Sequence, residues 1–168
     1  MLRVLAAASG ARSVVEIGTG VGVSGVYLLR GMPPEGVLTT IDVEVENQRA
    51  ARETFAEAAE RAGRTRVISG RAEDVLPRLT DHAYDLVLVD ADPLLAPGHL
   101  EQGLRLLRPG GTVVVNRALW NGSVADPAKR DPVTTALRES LRRIRDEDSV
   151  TGALIPVGGG LLIGVLDR

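Results

Sequence analysis

Residues 14–20 read Val-Val-Glu-Ile-Gly-Thr-Gly, and the glycines continue through Val21-Gly22-Val23-Ser24-Gly25. An apolar strand meets an acidic residue, then glycines, then a segment with helical character. Such an order puts bare backbone N–H groups and a helix N-terminus at the carboxyl end of a strand. That is a nucleotide-binding edge of an α/β sheet. A plain strand-to-helix turn would need flexible φ at one or two positions, not at Gly18, Gly20, Gly22 and Gly25 together.

The chain has 168 residues, enough for one domain, residues 1–168, with a sizeable core. Hydrophobic residues make up 44% and charged residues 25%, an ordinary globular balance. A net charge of −2 gives no general pull toward nucleic acid or an anionic membrane. Cysteine is absent, which excludes disulfides and thiolate metal sites. The two histidines, His82 and His99, are too few for a histidine-rich metal centre. The apolar N-terminal stretch is too short for a signal peptide, and no apolar run approaches bilayer length. A cytoplasmic location is therefore expected, with no membrane and no nucleic-acid partner.

Apolar periodicity and turn residues predict alternating elements. Helices are expected over 2–9, 22–30, 45–62 (ended by Gly63), 72–79, 95–107 and 133–146. Strands are expected over 13–17, 37–41, 66–69, 84–89 and 112–115, with a closing hairpin over 150–155 and 161–166 around Gly158-Gly159-Gly160. Pro109-Gly110-Gly111 is read as the stop after the fifth helix. Five β–α units and a hairpin imply an α/β fold: a seven-stranded, mostly parallel sheet with helices on both faces and an antiparallel C-terminal hairpin.

Two readings of the glycine loop compete. Gly20-Val-Gly22-Val-Ser-Gly25 matches the dinucleotide pattern, with Asp42 as the ribose acid. That pattern should follow its strand directly, and here Gly18-Thr19 intervene. Glu16, two residues before Gly18, gives instead Glu-x-Gly-x-Gly. Asp42 ends the second strand, where a carboxylate can accept from both ribose hydroxyls or cap the following helix. Tyr84–Val89 runs into Asp90 at the tip of a central strand, and Leu-Leu-Arg-Pro-Gly-Gly follows at 106–111.

In this order and spacing the motifs resemble the class I S-adenosylmethionine-dependent methyltransferases. Ala72-Glu73-Asp74, Val89-Asp90-Ala91-Asp92 and Ala118-Leu119-Trp120-Asn121-Gly122 narrow the resemblance to the catechol and caffeoyl-CoA O-methyltransferases, over essentially the whole chain. It implies a Rossmann-like fold and an S-adenosylmethionine site lined by Glu16, Gly18, Thr19, Gly20, Ser24, Asp42, Val43, Ala72 and Asp92. Asp90 would face both methyl donor and acceptor. A homodimer and a small, aromatic hydroxyl acceptor are implied as well.

The chain departs from that family where its chemistry is done. The family's lysine after Asp-x-Asp is Pro93 here, and its Asp-Asn metal pair is Asn116-Arg117. A magnesium site wants carboxylates and water, and a guanidinium cannot give up its charge. No tight metal site is expected. Asp90 or Asp92 could take the hydroxyl proton, and Arg117 could stabilise the oxyanion in place of the metal. Arg117 reads almost equally as a surface partner of Asp126 or Asp131. Trp120 could stack on an acceptor or cover the pocket floor, and His99 reads as a helix-face residue. The family's N-terminal helical segment is missing, since only residues 1–12 precede Ser13. A truncated form or an open acceptor pocket is expected, with Leu2, Val4 and Leu5 against a neighbouring chain or loosely held. A non-catalytic nucleotide-binding relic and an NAD-binding oxidoreductase remain as alternatives.

Overall fold

The computed structural model describes residues 1–58 and 64–167. Their elements run in the order α1 (Leu2–Ala8), β1 (Ser13–Ile17), α2 (Val23–Gly31), β2 (Val37–Asp42), α3 (Val45–Glu57), β3 (Thr65–Ser69), α4 (Ala72–Val75), β4 (Tyr84–Val89), α5 (Ala96–Leu106), β5 (Leu107–Asn116), α6 (Pro132–Asp146), β6 (Val150–Ile155) and β7 (Leu161–Leu166). The strands form one seven-stranded sheet ordered β3-β2-β1-β4-β5-β7-β6. All neighbours pair in parallel except β7, which is antiparallel to β5 and to β6. The expected mostly parallel sheet and closing hairpin are present. The predicted end of the third helix, 58–62 with Gly63, falls largely outside the described residues.

Side chains alternate across each strand, so the sheet sorts its apolar residues onto two faces. Val15, Ile17, Ile41, Val87, Val89, Val113 and Val115 pack with Leu100 of α5 and Leu137 of α6. Val14, Leu38, Leu86, Leu88 and Val114 pack with Ala6 of α1, Leu28 of α2 and Phe55 of α3. The strands β1 and β4 are buried on both faces, which explains their unbroken apolar runs. Leu2 and Leu5 of α1 lie against the second of these clusters, while Val4 is exposed. The N-terminal stretch is thus held by its own chain through two of the three residues expected to be loose or partnered.

Two boundaries differ from expectation. The fourth helix is a single turn, Ala72–Val75, followed by a tighter 3₁₀ turn at Leu76–Arg78, where Pro77 enters. The Pro109-Gly110-Gly111 stop lies inside β5, not before it. Tyr84 pairs with Leu107, and the next pair is Leu86 with Thr112, so residues 108–111 bulge out of the ladder. Asp85, opposite the bulge, accepts from the Arg12 and Ser13 N–H groups at 2.7 Å each and pairs with Arg108. One carboxylate thereby ties the start of β1 to β4 and β5. Among the described residues no helix is long and apolar enough to cross a membrane.

Candidate active site

The carboxyl ends of β1, β2, β3 and β4 open onto a cleft of about 460 Å³ on the α4–α5 side of the sheet. Parallel strands deliver their last residues to this edge, where ligands meet open α/β sheets. Gly18, Gly20, Asp42, Val43, Ala72, Asp90 and Asp92 all line it.

Gly18 shows why the loop needs glycine. Its φ is +96°, and a Cβ added there would stand 2.3 Å from the Asp90 carbonyl oxygen. The β1 tip therefore lies hard against the β4 tip, joined by Asp90 N–H donating to Ile17 O, while Gly18 N–H donates to Ile41 O of β2, both at 2.8 Å. Only a residue without a side chain permits that approach.

Asp42 Oδ2 accepts from Gly20 N–H at 2.9 Å and Oδ1 from Glu44 N–H at 2.9 Å. The carboxylate thus fixes the glycine loop and makes a tight turn into α3. Glu44, not Asp42, occupies the N-cap position of that helix, so the capping alternative takes this turn form. Asn47 Nδ2 lies 3.4 Å from both oxygens, and Asp42 and Asn47 line the cleft together.

Asp90 is the most constrained group at the other end. Asn116 Nδ2 donates to its Oδ2 at 3.0 Å, and Arg117 Nη2 lies 3.1 Å from Oδ1. Arg117 Nη2 also donates to Ala91 O at 2.8 Å. Burial raises the Asp90 carboxyl above the usual range, against the opposing pull of Asn116 and Arg117. The surface-pair reading of Arg117 is not what is found. Asp131 instead caps α6 by accepting from Thr134 N–H at 3.0 Å, and Asp126 accepts from Ala128 N–H. Asp92 accepts from Leu94 N–H at 2.9 Å and starts the turn that Pro93 occupies.

Beyond Arg117 the chain is unusual. Arg117, Trp120 and Asn121 adopt positive φ of 59°, 46° and 53°. Non-glycine residues hold that conformation only where the surroundings dictate it. Here Ala118 and Leu119 N–H groups donate to Gly160 and Gly159 carbonyls on the β6–β7 turn. Trp120 packs half-buried against the core cluster of the α5–α6 face.

Three expected cofactor residues do not line the cleft. Glu16 belongs to the alternate register of β1, with Val14, so its side chain points to the opposite face beneath α2. There it is fully buried, accepting from Ser24 Oγ at 2.5 Å and Thr40 Oγ1 at 2.7 Å. Thr40 in turn shares a 2.7 Å hydrogen bond with Thr19. Burial raises the Glu16 carboxyl to about 7, with the two hydroxyl donors opposing the shift. Glu16, Thr19 and Ser24 thus form a buried polar bracket that holds the glycine loop from behind.

The cleft also contains residues that sequence reasoning missed. Gly70, Arg71 and Glu73 come from the β3–α4 corner, and His99 from α5. Proximity of Glu73 to Ala72 was a usable clue. Nothing local marked His99, whose partner lies 26 residues away.

An O-methyltransferase family model matches residues 1–165. The chain belongs to the O-methyltransferase family. A protein of Mycolicibacterium smegmatis provisionally named an O-methyltransferase is 54% identical over 167 residues, 99% of this chain and 80% of its own length. A Mycobacterium tuberculosis protein with the same provisional name is 52% identical, over 99% of this chain and 75% of its own. Among solved structures, the O-methyltransferase TomG of Streptomyces achromogenes, in complex with S-adenosylmethionine, superposes with a TM-score of 0.91 at 33% identity. It covers 99% of this chain and 78% of TomG. The Bacillus cereus O-methyltransferase in complex with S-adenosylhomocysteine gives 0.91 at 28% identity, over 99% and 79% of the two chains. In this O-methyltransferase two acids, Asp42 at the β2 tip and Asp90 just past β4, line the cleft.

Proposed function

We propose that this single-domain O-methyltransferase, residues 1–168, transfers methyl from S-adenosylmethionine to a small aromatic hydroxyl without a metal ion. The observation that carries this reading is Asp90, a partly buried carboxylate at the cleft bracketed by Asn116 and Arg117. The cleft's lining suits the cofactor: Asp42 offers carboxylate oxygens to a ribose diol, and Gly18 and Gly20, without side chains, let a ligand approach the backbone closely. S-adenosylmethionine supplies an activated methyl group, so positioning accounts for much of the rate.

Asp90 takes the proton of the acceptor hydroxyl, and its raised affinity for protons suits that task. As Asp90 loses its charge, Arg117 turns its own charge to the phenolate oxygen. Asp42 and Val43 hold the ribose end, Ala72 the base end, and Asp92 lies beside Asp90 at the donor end. Glu16, Thr19 and Ser24 act from behind by fixing the loop that carries Gly18 and Gly20.

The residues do not fit a divalent cation. Both Asp90 oxygens already face donors, Asn116 presents its amide nitrogen, and Arg117 brings a positive charge. The exposed apolar residues Val4, Val21, Val23 and Tyr27 support a homodimer, and the composition supports a cytoplasmic enzyme. The test is turnover on a panel of catechols and simple phenols, with EDTA and with added magnesium. Methylation unchanged by either addition supports the reading. Magnesium-dependent turnover removes the metal-free mechanism. Tight cofactor binding with no turnover on any phenol favours a nucleotide-binding relic.

A further inference from the structure

Arg138, half-buried on α6, does not line the cleft, yet its guanidinium is directed at the segment of chain that leaves it. Nε donates to Val124 O at 3.0 Å and Nη1 to Lys129 O at 2.6 Å. Nη2 donates to Ser123 O at 3.1 Å and to Asp126 O. All four acceptors are backbone carbonyls, and no carboxylate is among them. A guanidinium carries five N–H groups in one plane, and here most of them serve a single loop. The chain between β5 and α6 closes around this one side chain.

A short relay of hydrogen bonds connects that hub to Arg117. Ser123, whose carbonyl Arg138 holds, donates its N–H to Trp120 O at 3.0 Å, and Trp120 N–H donates to Arg117 O at 3.0 Å. Val124, also held by Arg138, donates its N–H to Leu119 O at 3.3 Å. From the other side the β6–β7 turn holds Ala118 and Leu119 through the Gly160 and Gly159 carbonyls. Arg117, Trp120 and Asn121 all have positive φ, which persists only where the surroundings over-determine it. The β6–β7 turn is one clamp on this strained stretch, and Arg138 is the other.

We infer that Arg138 is a positioning residue for Arg117, on the proposed reading in which Arg117 opposes charge on the acceptor oxygen. It fixes the backbone from which Arg117 reaches Asp90 and Ala91. Without it the four carbonyls turn to water, the left-handed residues relax, and the Arg117 guanidinium leaves its place beside Asp90. Lysine is no substitute, because one nitrogen cannot serve four carbonyls spread over residues 123–129.

The experiment is a double-mutant cycle read by steady-state kinetics. Arg138→Gln should lower kcat about tenfold, as a small misplacement of a group at the reacting centre does. The acceptor KM should stay within a few-fold and S-adenosylhomocysteine affinity should not change. Arg138→Lys should recover little of the loss, and it carries the same cycle if Arg138→Gln fails to fold. In the Arg117→Ala background, Arg138→Gln should have no further effect on kcat, since the group it positions is gone. A second readout needs no turnover. Lys129 is the only lysine in the chain, so a lysine-specific protease cuts this loop at one bond, beside a carbonyl that Arg138 holds. Cleavage of Arg138→Gln should be at least about tenfold faster than that of the natural protein. Losses that multiply in the double variant, a loss confined to KM, or cleavage at the natural rate would each overturn the inference while leaving Arg117 its role. If Arg117→Ala alone leaves kcat unchanged, the proposed role of Arg117 falls and this inference falls with it.

Discussion

Arg117 reaches Asp90 from a left-handed backbone: its φ is +59°, and its guanidinium lies 3.1 Å from Asp90 Oδ1. The carbonyls of the β6–β7 turn hold the two residues that follow, Ala118 and Leu119. The antiparallel hairpin therefore sets where the arginine stands, although it contributes no residue to the cleft.

If Arg117 opposes charge on the acceptor oxygen, its loss acts on the reaction step. Arg117→Ala should lower kcat by roughly 10²-fold and leave KM for the acceptor within a few-fold. Its pH–rate profile should keep an acid limb, because Asp90 must be ionised to accept a proton. Asp90→Asn should abolish that limb with the activity. Steady-state kinetics across pH checks both, and a change confined to KM contradicts the assigned role.

Asp42→Ala removes the ribose acceptors and should weaken S-adenosylhomocysteine binding by at least about tenfold. It also frees the Gly20 and Glu44 N–H groups. A modest fall in melting temperature is expected alongside. Unchanged affinity in the folded variant would mean that the ribose lies elsewhere.

Gly18→Ala is expected to cost on the order of 2–5 kcal/mol, from a positive φ and from overlap with the Asp90 backbone. Urea unfolding measures this directly. Gly98→Ala, where an added Cβ meets nothing within 4 Å, serves as the tolerated control.

Glu16 gives stability a pH dependence of its own. Its carboxyl is raised from 4.5 to about 7, chiefly by burial, so the fold binds this proton more tightly than the unfolded chain does. The resulting stabilisation is complete below about pH 4.5 and is lost as the pH rises through about 7, a change on the order of 3 kcal/mol. Urea midpoints at about pH 5 and about pH 8 should differ in the natural protein. Glu16→Gln should narrow that difference, since its amide does not titrate. An equal difference in both proteins would refute the claim.

Light scattering at high protein concentration should give the mass of a dimer. Tyr27→Glu, an exposed change on α2, should shift it toward the monomer if this face is the contact. A monomer at all concentrations would exclude the dimer.

Local chemistry made much of this molecule readable from sequence. Apolar runs of strand length, glycines and prolines at the turns, and acids at strand ends specify the elements, because period-2 and period-3.6 burial and the φ limits of glycine and proline act within a few residues. The parallel order of the strands follows from the right-handed β–α–β connections they require. Asp42, Asp90 and the glycine loop were legible for the same reason: a strand tip is a position in sequence before it is a position in space. The tertiary structure alone decided what those tips face. Glu16 lies behind the loop because alternation along β1 turns it to the α2 side, where Ser24 and Thr40 meet it. Pro109-Gly110-Gly111 became a bulge because Leu107 had already paired with Tyr84. Glu73 met His99, and Asp90 met Arg117, across 26 and 27 residues. Contacts at that separation depend on how sheet and helices pack, and no local pattern encodes them.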